Sequence, residues 1–254
     1  MASSEVDQKF LGKLAKMVEP TNPLLASILF KILGLSLNLA DELVTAKKQR
    51  RHHTEQTPEF LKLVLHIIWL SREGLKLLDQ YVIPSVGHEV ELKVLAYKLR
   101  ASFYHIFVLF HNNPRFGVET PGSFLIPAAD YLPAAHRSFK EAVALADDLL
   151  WGSHSLRLSV KTEYAAFLYE CIHDPEASRA LAKKTIAEVY DAQEGMDDDM
   201  FADACELVTV LGKMMKRGIA SSNTPAIDKR PSLLPPSLPR NGEPHMMRST
   251  RPRG

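Results

Sequence analysis

Residues 154–170 read His154-Ser-Leu-Arg-Leu-Ser-Val-Lys-Thr-Glu-Tyr-Ala-Ala-Phe-Leu-Tyr-Glu170. Within them Leu156, Val160, Tyr164 and Phe167 recur at spacings of four, four and three. That is the period of an apolar helix face, and it predicts a helix over Ser155 to Ile172. The segments on either side obey the same rule. Upstream, Ala134 to Leu150 carries Phe139, Ala142, Val143 and Ala146 on one stripe. Downstream, Asp174-Pro175-Glu176 sets a capping aspartate before a proline and an acidic first turn. That helix is expected to end at Gly195. Asp197, Asp198 and Asp199 then suit the positive end of a last helix. A carboxylate metal cluster is the competing reading of these three, and the helix start is preferred.

The N-terminal half reads the same way. A first helix fits Ser4 to Met17, and Pro20 and Pro23 break it. A second fits Leu24 to about Arg51, with Lys47, Lys48, Arg50 and Arg51 in its last turns, where cations suit the helix dipole. Thr57-Pro58-Glu59 starts a third, which runs to Tyr81 and stops near Pro84. A fourth covers Glu89 to Phe110, before a loop that holds Pro114, Gly117, Pro121, Gly122 and Pro127. No segment alternates as a strand does. The fold class is therefore all-α, a bundle of roughly eight helices. The last helix pairs look individually like helix-turn-helix repeats, but no fixed period links them.

After Gly218 the composition changes. Seven of the chain's 16 prolines lie in residues 219–254, with many Ser and Arg. That divides the chain into a helical domain, 1–218, and a Pro/Ser/Arg-rich tail expected to be disordered. The tail holds six basic and two acidic residues, a charge of +4, which leaves −3 for the rest of a chain whose total is +1. A near-neutral body offers no basic footprint for nucleic acid. Lys229-Arg230-Pro231-Ser232 places Ser232 as a possible phosphorylation site for a basic-directed kinase. The start, Met-Ala-Ser-Ser-Glu-Val-Asp, lacks the basic and apolar regions of a secretory signal. The richest apolar run, Leu63 to Leu70, is far too short to span a bilayer. A cytoplasmic protein, with possible nuclear access and no membrane partner, is expected.

Catalytic chemistry finds no foothold. There is no glycine-rich phosphate loop, nucleophile elbow or zinc spacing. The ten histidines are scattered, and the adjacent His52 and His53 would point apart on a helix. Cys171 and Cys205, the only cysteines, sit in apolar helical patterns and are expected to be buried thiols. No enzyme, cofactor or metal is expected.

From Val82-Ile83-Pro84 to about Arg217, the order of these words resembles the 14-3-3 family, with one longer loop. Upstream, Ser27-Ile-Leu-Phe-Lys31 resembles the family's third helix. The resemblance implies a nine-helix antiparallel fold and an adaptor that holds a partner segment, usually phosphorylated, in a concave groove. The family grips phosphate with a lysine, two arginines and a tyrosine. By resemblance, the groove lysine is Lys31, and the arginine expected seven positions later is Asn38. Tyr97-Lys98-Leu99-Arg100 keeps a second groove lysine at Lys98, with Arg100 beside it, while the family's Arg-Tyr pair is His105-Ile106. On the opposite wall, two peptide-holding asparagines become Glu163 and Met214, and the terminal tryptophan becomes Gly218. Glu170 is kept, and the apolar wall retains Ala166, Val210 and Leu211.

These replacements bear on the ligand. A charge-assisted hydrogen bond to phosphate contributes about 1.5–3 kcal/mol, so losing two arginines removes roughly 3–6 kcal/mol. That is on the order of a hundred- to ten-thousand-fold in affinity. The expected partners are protein segments, phosphorylated or not. Only one helix precedes Pro20 where the family has two that build its dimer seam, which argues against the usual homodimer. A structural or assembly protein using helix surfaces or the basic tail is the alternative.

Overall fold

The computed structural model describes residues 4–51, 57–110 and 129–216. His52 and His53, the proline-containing loop, and the tail with Ser232 lie outside the described residues. Among the described residues there are eight helices of 14 residues or more and no strand. They are α1 (Glu5–Val18), α2 (Pro23–Arg51) and α3 (Pro58–Leu77), then a short α4 (Ile83–Ser85). α5 (Val90–Phe110), α6 (Leu132–Leu149), α7 (Ser155–Glu170), α8 (Pro175–Asp191) and α9 (Asp198–Lys216) complete the bundle.

The starts follow local chemistry. Ser4 accepts a hydrogen bond from the Asp7 amide and caps α1. Asn22 accepts from the Leu25 amide at 3.0 Å just before Pro23 opens α2. Thr57 caps α3 and Asp174 caps α8, each with proline in the first turn. Each such cap contributes about 1 kcal/mol. α3 ends differently from expectation. It widens into a π-helical turn, Leu78–Val82, before α4. Pro84 has no amide hydrogen and its ring crowds the carbonyl four residues back, and a wider turn accommodates it. α7 stops at Glu170, short of the expected Ile172, because His173 turns left-handed with φ 60 and the Asp174 amide donates back to the Leu168 carbonyl at 2.9 Å. α8 likewise stops at Asp191, before Gly195.

The main core joins one side of α1 and α2 to α3, α5 and parts of α6 and α7. Val6, Phe10, Leu11, Leu14, Ala15 and Val18 of α1 are all buried in it. A second cluster packs Phe139, Tyr164, Phe167 and Leu168 at the α6–α7 contact. A third seats Leu211 and Met214 of α9 against Ala165 and Ala182. Fully burying one Leu or Phe contributes about 1.5–3 kcal/mol, so a 14-residue helix such as α1 is held by its packed face rather than by its own length.

α2 is long and apolar enough to cross a membrane by length and composition, with a mean hydropathy of 1.7 in its best window. Its Leu25, Ile28, Leu29, Ile32 and Leu39 lie in the core, while Leu24, Phe30, Leu37 and Val44 are exposed. The expectation of two buried thiols needs correction. Cys171 is half-buried and Cys205, on the outer side of α9, is exposed. An apolar helix pattern admits a cysteine at its margin as readily as at its centre.

Candidate functional site

Three helices bring one charge cluster together. Lys98, Ser102 and His105 stand at spacings of four and three on α5, hence on one face. Ser159 and Glu163 stand four apart on α7. Asp7 comes from the first turn of α1. The Lys98 ammonium donates to Asp7 Oδ2 and lies 3.0 Å from Glu163 Oε2. Ser102 Oγ donates to Glu163 Oε2 at 2.7 Å, and Ser159 Oγ donates to Asp7 Oδ1 at 3.0 Å. His105 Nδ1 sits 3.4 Å from Glu163 Oε1, with its ring edge-on to Phe139 and Phe167. Lys98, Asp7 and His105 are fully buried, and Glu163 is 5% exposed.

The electrostatics follow from that enclosure. Burial alone would lower the pKa of Lys98, but the Asp7 and Glu163 carboxylates outweigh it and hold it above the ordinary lysine value. Burial pushes Glu163 up, while nearby positive charge, Lys98 foremost, pulls harder and holds it well below the usual carboxylate range. A buried lysine shared between two carboxylates is satisfied internally. It offers no free cation to an incoming anion, and a phosphate would meet two negative charges beside the one positive.

Two further ionic clusters frame this one. Glu91 at the start of α5 accepts from His154 Nε2 at 3.3 Å and meets Lys13 of α1 at 3.3 Å. The His154 contact leads the causes that hold Glu91 below its ordinary pKa. Lys161 of α7, itself fully buried, lies 2.5 Å from Glu188 and 2.6 Å from Asp147. Arg157 joins the same two carboxylates at 2.8 and 2.9 Å, which ties α6, α7 and α8 together.

The other expected site residues lie apart from this cluster. Arg100 faces away from Lys98, pairing with Glu141 on α6 and stacking over Tyr97 at 4.7 Å. Lys31 and Asn38 are exposed on α2. Glu170 is exposed at the end of α7. Ala166 and Val210 are half-buried against the α9 cluster, where Met214 is buried. Lys98, His105 and Glu163 come together beneath the surface. Asp7, Ser102 and Ser159 complete their cluster and carry no signal in the sequence, since a first-turn aspartate and helical serines suit any helix.

While Phe139 and Phe167 enclose His105, α1 closes the cluster over Lys98. It packs along α2 and touches α5 and α7. Phe10 stacks on His154 at 5.8 Å, and Lys9 reaches Asp203 on α9 at 2.7 Å. One helix therefore touches α2, α5, α7 and α9 together.

The model of the family described as 14-3-3 protein matches residues 36–217, a span that begins inside α2 and leaves α1 outside. Among curated relatives, the 14-3-3-like protein GF14 epsilon of Arabidopsis thaliana is 26% identical over 137 residues, covering 54% of this chain and 49% of that protein. The 14-3-3-like protein 1 of Caenorhabditis elegans is 22% identical over 142 residues, covering 56% and 52%. The 14-3-3-like protein D of Nicotiana tabacum is 27% identical over 137 residues, covering 54% and 50%. The chain spans about half the length of these relatives. With the all-helical fold and a family match across most of its length, the chain belongs to the 14-3-3 family.

Proposed function

We propose that this chain is a non-enzymatic, protein-binding adaptor of cytoplasmic location that takes partner segments without a phosphate clamp. The observation that carries this is the burial of Lys98 between Asp7 and Glu163. A groove lysine must reach solvent to meet a phosphate, and this one is neutralised inside the bundle. Family membership supports the adaptor role. Glu170, Ala166 and Val210, at the ends and margins of α7 and α9, belong to the segment-binding surface in this reading, with Lys31 and Asn38 on the other wall.

Calorimetric titration of the full chain with matched phosphorylated and unphosphorylated peptides tests it. Equal binding, or binding to the unphosphorylated form alone, supports phosphate independence. Micromolar binding to the phosphorylated peptide alone refutes it. A second reading, assembly through helix surfaces, draws on the exposed Phe30, Leu37 and Val44 at heptad spacing on α2. Loss of all partner binding on Leu37→Glu, with peptide titrations blank throughout, would favour that reading.

A further inference from the structure

The polar groups under α1 fall into two sets. Lys98, Ser102, His105 and Glu163 meet one another directly across α5 and α7. Asp7 alone is delivered from α1, onto Lys98 and Ser159. The seat would therefore keep its lysine paired with Glu163 if α1 left, while Asp203 would give up its contact with Lys9. The outer ties of α1 are solvated on their lysine side. Lys9 and Lys13, which reach Asp203 and Glu91, are about half exposed, and such pairs hold weakly. A short turn, 19–22, joins α1 to α2.

What α1 presents to the seat is the description of a ligand. Val6, Phe10 and Leu14 recur every four residues, Leu11 and Ala15 widen the stripe, and Asp7 supplies one carboxylate at its edge. This is the helix-in-groove mode of recognition, with the helix supplied by the chain itself. The matched family span begins at residue 36, inside α2, and leaves α1 outside it, while α5, α7 and α9 of the seat lie within it.

We propose that α1 is an exchangeable resident. Its seat on α2, α5, α7 and α9 also receives, in its place, an amphipathic helix of a partner protein with an aspartate or glutamate beside an apolar stripe of period four. This rests on the adaptor reading and names its ligand class. The resident helix lowers the apparent affinity for any partner by the fraction of chains that are closed.

The test uses the full chain and a fluorescein-labelled peptide with the sequence of residues 4–18, read by anisotropy. Asp7→Asn in the chain weakens the resident's grip on Lys98. The labelled peptide should then bind roughly tenfold tighter than to the unsubstituted chain. A peptide carrying the same Asp7→Asn change should lose that gain. Equal affinity for both chains, equal affinity of both peptides, or no binding to either chain overturns the proposal. Hydrogen exchange on the unsubstituted chain, which depends on no variant folding, is the second measurement. Residues 6–14 should exchange faster than the centres of α5 and α7. Protection of α1 equal to theirs overturns the proposal. Should partner peptides still bind in the calorimetric titrations, the adaptor reading stands while the exchange falls.

Discussion

Replacing Lys98 by methionine probes the buried cluster most directly. The substitution keeps most of the side-chain volume and removes the ammonium that lies 3.0 Å from Glu163 and bonds Asp7. Two carboxylates then face one another in a site that water does not reach. Breaking a buried ion pair by removing one partner costs about 3–5 kcal/mol. For a domain of this size each kcal/mol moves Tm by roughly 2–4 °C, so a loss of about 6–20 °C is expected. The pH dependence gives the sharper check. In the unsubstituted protein the folded-state pKa of Glu163 lies well below its ordinary 4.5. Its contribution is therefore present above pH 4.5 and is lost as pH falls below that towards the folded value. In Lys98→Met the same carboxylates are desolvated and repel, so they take up protons more readily. The penalty should shrink on acidification. Urea unfolding followed by circular dichroism should show about 3–5 kcal/mol at pH 7.5 and at least ~1 kcal/mol less at pH 5. A variant within ~1 kcal/mol of the parent at pH 7.5, or a penalty that ignores pH, would refute the reasoning.

Two glycines and two cysteines supply further checks. A methyl group at Gly74 would collide with the Phe103 ring in the α3–α5 contact, whereas Gly34 in the middle of α2 has open space around it. Gly74→Ala should lower stability by about 1–3 kcal/mol and Gly34→Ala should raise it by up to ~1 kcal/mol, both read by urea unfolding. Burial pushes the half-buried Cys171 thiol up to about 12, so at pH 8 about one in ten thousand is thiolate. A thiol reagent should modify one equivalent quickly, at the exposed Cys205, and the second only on unfolding. Persistence of the fast equivalent in Cys205→Ser would contradict this assignment.

Periodicity and capping specified the helices, and the family resemblance specified how they assemble. Ser4, Thr57 and Asp174 cap the helices that begin after them, because a cap is a matter of three or four neighbouring residues. The π-turn before Pro84 was not legible. Whether a proline ends a helix or only widens it depends on what packs around Val82, which is buried in the core. The cysteines show the same limit, since period marks a helix face and not how far that face is covered.

Sequence by itself determined the fold class, the order of the helices and the residue types of the α5 and α7 faces, all of which depend on contacts a few residues apart. Only the tertiary structure decided what those faces meet. Asp7 and Lys98 are 91 residues apart in the chain, and Ser159 and Asp7 are 152 apart. Nothing in the residues around Lys98 in the chain closes it to a phosphate; Asp7 of α1 does so in the fold. Burial is a property of three-dimensional packing, and at this site burial turns a lysine that could meet a ligand into one already held by two carboxylates.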